Sequence, residues 1–434
     1  MGIGIAELTF SNYAKHKVGP ADRSERRPSP SPNRRTLLSR KKTGDHLSTL
    51  EQIPRYNLGV ICILLLATGL RLWGLTERGI YDYDEAWYLL EAKTLYYTGD
   101  YLLSAVGLSD VDTSQGLKAY VKQRGTVPMT SVKPGHTILT FLGMVVLGTY
   151  DYAGLGVSAL SGILTVLLVF LIGKELGGTR LGIAAALILA VSPLHIHYSR
   201  SMYSQSNAVL FATLGAYLWV RHQNRNTASL WLFGAGAAIG YAFTCHFNIA
   251  WVTVGFISLE LLMGCIRKVE IRQRLLSVGM FASGMAAPAA LFELAGQLTK
   301  KIGLFPQDYP TYLGQFLHRQ GLGEKLVVSA RQVPFWTERL MATEGILVTL
   351  LVVAGTLFLL INLRHARLRE VALLGLPAMA LLPPSLLAIN GLYYILRNYA
   401  IALPALALLA GVGYLSVEKH FANRWSFARP LLAT

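Results

Sequence analysis

The chain has 434 residues, of which 53% are hydrophobic and only 15% are charged. Soluble globular proteins carry about 25% charged residues, so this composition excludes an ordinary soluble enzyme and is typical of a protein that faces lipid. The formal net charge is +16, and the Lys and Arg residues lie in clusters between apolar stretches. That arrangement is typical of cytoplasmic loops in a membrane protein and argues against a nucleic-acid-binding surface.

The chain begins with a polar segment. Residues 1–56 contain eleven Lys or Arg residues against five Asp or Glu residues, and they are rich in Ser and Pro. The first 50 residues lack the apolar core that a signal peptide requires. We therefore expect residues 1–56 to be a disordered cytoplasmic tail and not a cleaved signal.

Ten apolar stretches follow, and a membrane-spanning helix needs about 20 such residues. They are 57–75, 155–173, 181–198, 206–221, 228–245, 248–266, 275–295, 344–362, 371–389 and 399–416. Basic runs fall in alternate loops, which the positive-inside rule assigns to the cytoplasm. The sequence thus predicts an all-α polytopic membrane protein with about ten spans in a domain at 57–418, and a second cytoplasmic tail at 419–434. Long external loops are predicted at 76–154 and 296–343.

Residues 136–149 are apolar but short for a span. If they crossed the membrane, every later loop would change side and the basic runs would lie outside. We therefore interpret them as a juxtamembrane or half-inserted helix in the first external loop. The alternative is a short span with a compensating change elsewhere in the chain.

The first external loop begins with an acidic, aromatic segment, YDYDEAWYLLEAKTLYYTGDY, at 81–101. Its spacing predicts a short amphipathic helix along the membrane surface, with Asp84 as the N-cap. A capping role explains Asp84 but not the crowding of Asp82, Asp84 and Glu85. A carboxylate at the lipid–water boundary can also act as a general base toward an acceptor hydroxyl. Both interpretations stay open on the residues alone.

This loop resembles a known family. An acidic pair after the first span, then WY, TGDY and a Lys-Pro dipeptide at 133–134, is similar to the membrane glycosyltransferases of the C superfamily. The similarity is greatest to the branch of protein O-mannosyltransferases and lipid A aminoarabinose transferases. Residues 160–200 resemble the second and third spans of that family, and 396–415 resemble its last span. The resemblance covers about 57–415 and is strongest over 70–222.

The resemblance implies an active site. In that family the acidic residue of the first loop is the general base, which corresponds here to Asp84 with Glu85 beside it. The family donor is a sugar on a polyprenyl phosphate, so cations must stabilise the phosphate that leaves. The matching cations are Lys133, Arg200 and Arg397. Contact with lipid headgroups is the alternative for Lys133, and pairing with a loop carboxylate is the alternative for the two arginines.

Three further residues are candidates for substrate binding. Tyr88 belongs to the acidic segment and is expected at headgroup level. His246 interrupts an apolar run at the membrane edge, where ionisable residues are often functional, although a hydrogen bond to a neighbouring helix also explains it. Tyr309 lies in the second external loop and is suited either to stacking on a sugar or to anchoring the loop at the interface.

Two departures from related oligosaccharyl transferases shape the prediction. The turn after the third span reads SMYSQSN and has no carboxylate for a divalent metal. Metal-independent transfer is therefore favoured, although a cation between Asp82 and Asp84 stays open. The three cysteines also lack metal-type spacing. In addition, no large external domain follows the last span, so acceptor contacts are expected from the two external loops.

The predicted enzyme is an inverting hexosyl or pentosyl transferase of the plasma (inner) membrane, with both termini cytoplasmic and its active site outside. It would transfer a sugar from a polyprenyl phosphate to a hydroxyl of a lipid, glycan or protein. No cofactor is assigned with certainty. One alternative is a transporter or flippase of a lipid-linked sugar, although no internal repeat typical of transporters is present. The other is a non-catalytic assembly subunit of an envelope complex.

Overall fold

The computed structural model describes residues 45–127, 133–225, 229–303, 305–319, 332–362, 371–378 and 399–426. The chain divides into a unit that ends at Ile53 and a unit that begins at Pro54. Within the described residues of the first unit, only the beginning of helix α1 is present. Most of the predicted tail at 1–56 therefore lies outside the described residues.

The described residues form helices and contain no strand. The first half of the chain contains α1 (Asp45–Leu72), α2 (Leu75–Arg78), α3 (Tyr83–Ala105), α4 (Leu117–Gln123), α5 (Pro134–Leu147), α6 (Asp151–Gly177), α7 (Thr179–Val191) and α8 (Pro193–Ser199). The second half contains α9 (Gln205–Arg225), α10 (Ser229–Cys245), α11 (Ile249–Ile266), α12 (Ile271–Lys301), α13 (Tyr312–Arg319), α14 (Gln332–Ile361) and α15 (Leu403–Ser426).

Hydropathy and length identify the membrane-crossing helices. Among the described residues, five helices are long and apolar enough to cross a bilayer, and the pair α7–α8, bent by 65°, makes up to six. Three shorter apolar helices at Pro134–Leu147, Leu230–Cys245 and Val252–Ile266 accompany them. The all-α membrane architecture is thus confirmed. Much of the predicted span at 371–389 lies outside the described residues, and the number of ten spans stays a prediction.

Short breaks separate the helices around the middle of the chain. Gly148 and Gly178 have φ values of 85° and 83°, which end α5 and α6 because side-chain-bearing residues rarely adopt this conformation. The break between α7 and α8 falls at Ser192-Pro193, where proline has no N–H to continue the helix. The predicted span at 181–198 is therefore a bent pair and not one straight helix.

Glycines allow several helices to approach closely. A Cβ atom at Gly236 would lie 2.0 Å from the carbonyl oxygen of Phe281, where α10 meets α12. A Cβ atom at Gly413 would lie 2.0 Å from the carbonyl oxygen of Leu351, where α15 meets α14. In lipid, helices associate through packing and not through the hydrophobic effect, so small residues at these crossings set the distance between backbones.

The first long loop, predicted at 76–154, is more helical than the sequence indicates. Helix α3 has 23 residues and is not the short helix that we predict. Its N-cap is Asp82, whose side chain accepts a hydrogen bond from the backbone N–H of Asp84. The prediction that Asp84 is the N-cap is therefore wrong, because the helix begins at Tyr83, two residues earlier than an N-cap at Asp84 would place it.

The rest of this loop folds back on α3. The Tyr120 hydroxyl of α4 donates to Asp100 Oδ2 of α3 at 2.9 Å, and the Arg124 guanidinium lies 3.6 Å from the centroid of the Tyr120 ring. Burial and the Asp100 bond raise the pKa of Tyr120 to about 12. These contacts hold the connection at 106–116 against the end of α3.

Helix α5 corresponds to the short apolar segment predicted at 136–149. Its 14 residues extend about 21 Å at 1.5 Å per residue, less than the roughly 30 Å of a bilayer core. It packs against α3, α6 and α10. Its length agrees with a half-inserted helix, and its position relative to the membrane stays a prediction.

Candidate active site

The candidate site is built around the first turn of α3. Asp82 caps the helix and also accepts a hydrogen bond from the Tyr203 hydroxyl of the turn after α8. Asp84 lies in the same first turn and is partly buried. The positive end of the helix dipole lies at this turn and stabilises ionised carboxylates there. The helix N-terminus therefore explains part of the crowding of acidic residues seen in the sequence, since Asp82 caps it and its dipole stabilises Asp84.

Glu85 has a different environment from Asp84. Its side chain is fully buried and forms a two-pronged ion pair with Arg78, with the closer contact at 3.0 Å. It also accepts hydrogen bonds from the backbone N–H groups of Tyr81 and Met202, at 3.0 and 2.9 Å. Four donors therefore occupy its two oxygens. This arrangement gives Glu85 a structural task, namely tying α3 to the turn after α8.

Lys133 and Tyr88 meet where α5 packs against α3. Lys133 is 8% exposed, its Nζ contacts the Tyr88 hydroxyl, and the same Nζ lies 4.6 Å from the centroid of the Tyr88 ring. Tyr88 follows Asp84 by four residues on α3, so the two side chains share one face with about 5–6 Å between their Cβ atoms. The structure therefore brings Lys133 into contact with Tyr88, and Asp84 lies one helical turn before Tyr88 on α3.

A buried polar layer supports this contact. His136 is fully buried one turn after Lys133, and its ring lies edge-on to that of Tyr88, with 5.1 Å between centroids. Its Nδ1 is 2.8 Å from Asn207 Nδ2, and Ser161 donates to the Asn207 side-chain oxygen at 2.6 Å. Helices α5, α6 and α9 are thus linked behind the Lys133–Tyr88 contact.

Glu91 extends this layer along α3. It is 1% exposed and accepts hydrogen bonds from Trp87 Nε1 at 3.1 Å and from the Thr137 hydroxyl at 3.2 Å. The sequence prediction omits both His136 and Glu91. The signal for His136 is an ionisable residue at the start of an apolar segment, since such residues are costly there and are seldom incidental. Glu91 lies in the acidic segment at 81–101, where no such signal distinguishes it.

The other residues predicted to bind the substrate lie in different parts of the chain. Arg200 donates hydrogen bonds to the carbonyl oxygens of Leu70 and Trp73 at 3.4 and 2.7 Å, so it caps the end of α1. Arg397 lies outside the described residues. Tyr309 is 36% exposed, and its ring packs on that of Phe305.

His246 lies between α10 and α11. Its Nε2 is 3.3 Å from Gln205 Nε2, and its Nδ1 accepts from the backbone N–H of Asn248 at 3.3 Å. The end of α10 packs on the start of α5, because the Tyr241 hydroxyl donates to the Gly135 carbonyl oxygen at 3.0 Å. His246, which follows the end of α10, therefore lies near the start of α5, whose N-cap is Lys133.

Across the described residues, no three His, Cys, Asp or Glu side chains are grouped so that they would hold a metal ion. Cys245 is buried, whereas Cys62 and Cys265 are exposed, and all three are free thiols.

The described helices form an all-helical membrane domain. This is the fold of the membrane glycosyltransferases of the C superfamily, and the resemblance inferred from the sequence is confirmed. The profile of one family within that class, described as dolichyl-phosphate-mannose-protein mannosyltransferase, matches residues 131–296. No curated protein matches the chain by sequence.

Solved structures share the fold. The ArnT protein of Cupriavidus metallidurans bound to undecaprenyl phosphate superposes with a TM-score of 0.55 at 15% identity, over 84% of this chain and 60% of that protein. The archaeal oligosaccharyltransferase AglB of Archaeoglobus fulgidus, in complex with an inhibitory peptide and a dolichol-phosphate, gives a TM-score of 0.53 at 12% identity. That match covers 87% of this chain and 52% of AglB. The chain thus spans between half and two thirds of the length of these proteins.

Proposed function

We propose that the protein is a glycosyltransferase that moves a sugar from a polyprenyl-phosphate donor to an acceptor hydroxyl. The observation that carries this proposal is the contact between Lys133 and Tyr88, one helical turn from Asp84. A buried cation in contact with the helix that carries the carboxylate supports this chemistry, because transfer from a phosphate-linked sugar needs a positive charge near the departing phosphate. The family profile and the lipid phosphates bound to ArnT and AglB support the same donor class.

Asp84 is the proposed general base. It takes the proton of the acceptor hydroxyl while that oxygen attacks the anomeric carbon of the donor. The bond from the anomeric carbon to the phosphate oxygen breaks in the same displacement, and the sugar therefore inverts its configuration. A positioned base of this kind contributes about 10²–10⁴-fold to rate. Because the oxygens of Glu85 are occupied by four donors, we assign the base to Asp84 alone.

Lys133 is the proposed partner of the departing phosphate. A buried ammonium group interacts more strongly with a developing negative charge than an exposed one does, because the local dielectric is lower. The Tyr88 hydroxyl and ring fix the position of the ammonium group. Further contacts to the phosphate or the sugar from Arg200, Arg397, His246 and Tyr309 remain part of the proposal.

We propose the plasma (inner) membrane as the location, with the first loop and its carboxylates on the extracytoplasmic side and both termini in the cytoplasm. The clustering of Lys and Arg between apolar stretches supports this orientation. The proposed acceptor is a lipid, glycan or protein hydroxyl that reaches the site from outside.

The decisive experiment replaces the base. In membranes supplied with a panel of radiolabelled polyprenyl-phosphate sugars, the Asp84→Asn variant should lose about 10²–10⁴-fold in transfer rate relative to the unaltered chain. Asp110→Asn is the matched control, since Asp110 is an exposed carboxylate of the same loop, and it should retain full activity. Full activity in a stably inserted Asp84→Asn protein would remove Asp84 as the base.

A further inference from the structure

Two arginines far apart in sequence each donate hydrogen bonds to the carbonyl end of another helix. Arg71, in the last turn of α1, is fully buried and donates hydrogen bonds to the carbonyl oxygens of Ala190 and Leu189 at the end of α7, at 3.1 and 3.4 Å. Arg200, which follows α8, donates to the carbonyl oxygens of Leu70 and Trp73 at the end of α1. We name this pair, Arg71 and Arg200, the arginine clasp.

The local sequence explains why α7 needs a donor from outside. The carbonyl of Leu189 would normally accept from residue 193, but Pro193 has no N–H, and only a bond from Ser192 at 3.3 Å replaces it. The carbonyl of Ala190 would accept from Leu194, whose N–H instead donates to Glu344. The break therefore leaves acceptors at the negative end of α7, where a cation is favoured.

Arg71 is also held by a histidine. Its Nη2 lies 2.7 Å from Nδ1 of His195, which is buried in the first turn of α8. Since a guanidinium only donates, His195 Nδ1 must be the acceptor. Arg71 thus forms hydrogen bonds to both helices of the bent pair, so its buried charge joins α1 to α7 and α8.

The clasp lies directly behind the proposed carboxylates. The turn that begins at Arg200 provides the Met202 N–H to Glu85 at 2.9 Å and the Tyr203 hydroxyl to Asp82. The segment that follows Arg71 leads through α2 to the same carboxylates. Arg71 and Arg200 therefore connect the end of α1 with the turn after α8, and both of these segments lead to the first turn of α3.

From this geometry we infer that Arg71 is a positioning residue, which holds the first-loop carboxylates in register with the turn after α8 through the arginine clasp. The inference rests on the proposed function for its effect on catalysis, although the register itself is a property of the fold. Loss of the clasp should displace the turn at 200–204 and the Asp84 carboxylate, and leave Lys133 on α5 in place.

The register can be measured without any substrate. Ser201 is fully buried in this turn and differs from cysteine by one atom. A Ser201→Cys reporter in a chain with Cys62→Ser and Cys265→Ser should react slowly with maleimide in native membranes. Adding Arg71→Gln should raise the labelling rate about tenfold or more, because a charge-assisted set of hydrogen bonds no longer closes the turn. Arg180→Gln is the matched control, since Arg180 lies on α7 but is 64% exposed, and it should not change the rate.

Activity provides the second measurement. In transfer assays, Arg71→Gln should lower kcat and leave the KM for the donor nearly unchanged, and Arg71→Lys should restore part of kcat. If the unaltered chain transfers no sugar, the proposed function fails while the labelling result still decides the clasp.

The Arg200→Gln variant distinguishes a loss of register from a general folding defect. Arg200 is only partly buried, so Arg200→Gln should insert and fold, and should increase Ser201→Cys labelling in the same way. An unchanged labelling rate in Arg200→Gln, or in a folded Arg71→Gln protein, would overturn the inference.

Discussion

Two regions of this protein are stabilised by different interactions, one by close packing of backbones and the other by buried polar contacts. The crossings of α10 with α12 and of α14 with α15 have glycines against backbone, as at Gly236 and Gly413. The long loop at 76–154 is instead fixed by buried polar groups, with Glu85 against Arg78 and Lys133 against Tyr88. The comparison shows that close packing sets distances between helices, whereas buried charge specifies which side chains meet.

The largest loss of stability is expected from breaking the ion pair between Glu85 and Arg78. Glu85→Gln removes the fully buried partner of an ion pair whose Arg78 side chain is 16% exposed. Breaking a fully buried pair costs about 3–5 kcal/mol of stability, which is the upper bound here because water reaches Arg78. Glu418→Gln is the matched control, because Glu418 pairs with Arg180 at 2.5 Å with both side chains exposed, and exposed pairs contribute only about 0–1 kcal/mol. Thermal unfolding in detergent measures both. Equal losses in the two variants would show that the loop does not rely on buried charge.

A smaller effect is expected at the glycine crossings. Gly413→Ala places a methyl group 2.0 Å from the Leu351 carbonyl oxygen, and overpacking of this kind costs about 1–3 kcal/mol. Gly279→Ala, in α12, meets nothing within 4 Å, and should instead stabilise the protein by about 0.5–1 kcal/mol through helix propensity. The same unfolding measurement compares them. Opposite signs would support backbone contact at α14 and α15, and two stabilising substitutions would exclude it.

The smallest effect concerns the outer part of the first loop. Tyr120→Phe removes the hydrogen bond to Asp100 and should cost about 1 kcal/mol, seen as faster proteolysis at 106–116. The pKa of Tyr120 is raised to about 12, so the bond contributes fully below the ordinary value near 10 and is lost as pH rises toward 12. Cleavage by an alkaline-active protease should therefore speed up over this range in the unaltered chain only. The same pH response in Tyr120→Phe would contradict the assignment.

Hydropathy predicts the helices well where one apolar run corresponds to one helix. Residues 155–173 lie within α6, and 275–295 lie within α12. The N-cap prediction fails because Asp82 and Asp84 are both good caps and differ only in where the backbone turns, which depends on contacts with residue 203. The first-loop helix is also longer than expected, because α4 and α5 support it.

The sequence predicts those parts of the candidate site in which the residues lie close together along the chain. Asp84 and Tyr88 share a helix face at i and i+4, and a Lys-Pro pair marks the start of the next apolar helix. Arg71 and His136 could not be assigned roles in this way, since their partners are 119 and 71 residues distant in sequence. Such contacts follow from tertiary packing, which periodicity does not encode.

Pro193 has a consequence for how this sequence can diverge. One absent backbone hydrogen at residue 193 leaves carbonyl groups that Arg71 of another helix satisfies. In an alignment of close homologues, we expect the identities of residues 71 and 193 to covary. A lineage that regains a continuous helix here would no longer need the arginine, whereas a lineage that keeps the proline should tolerate little else at position 71.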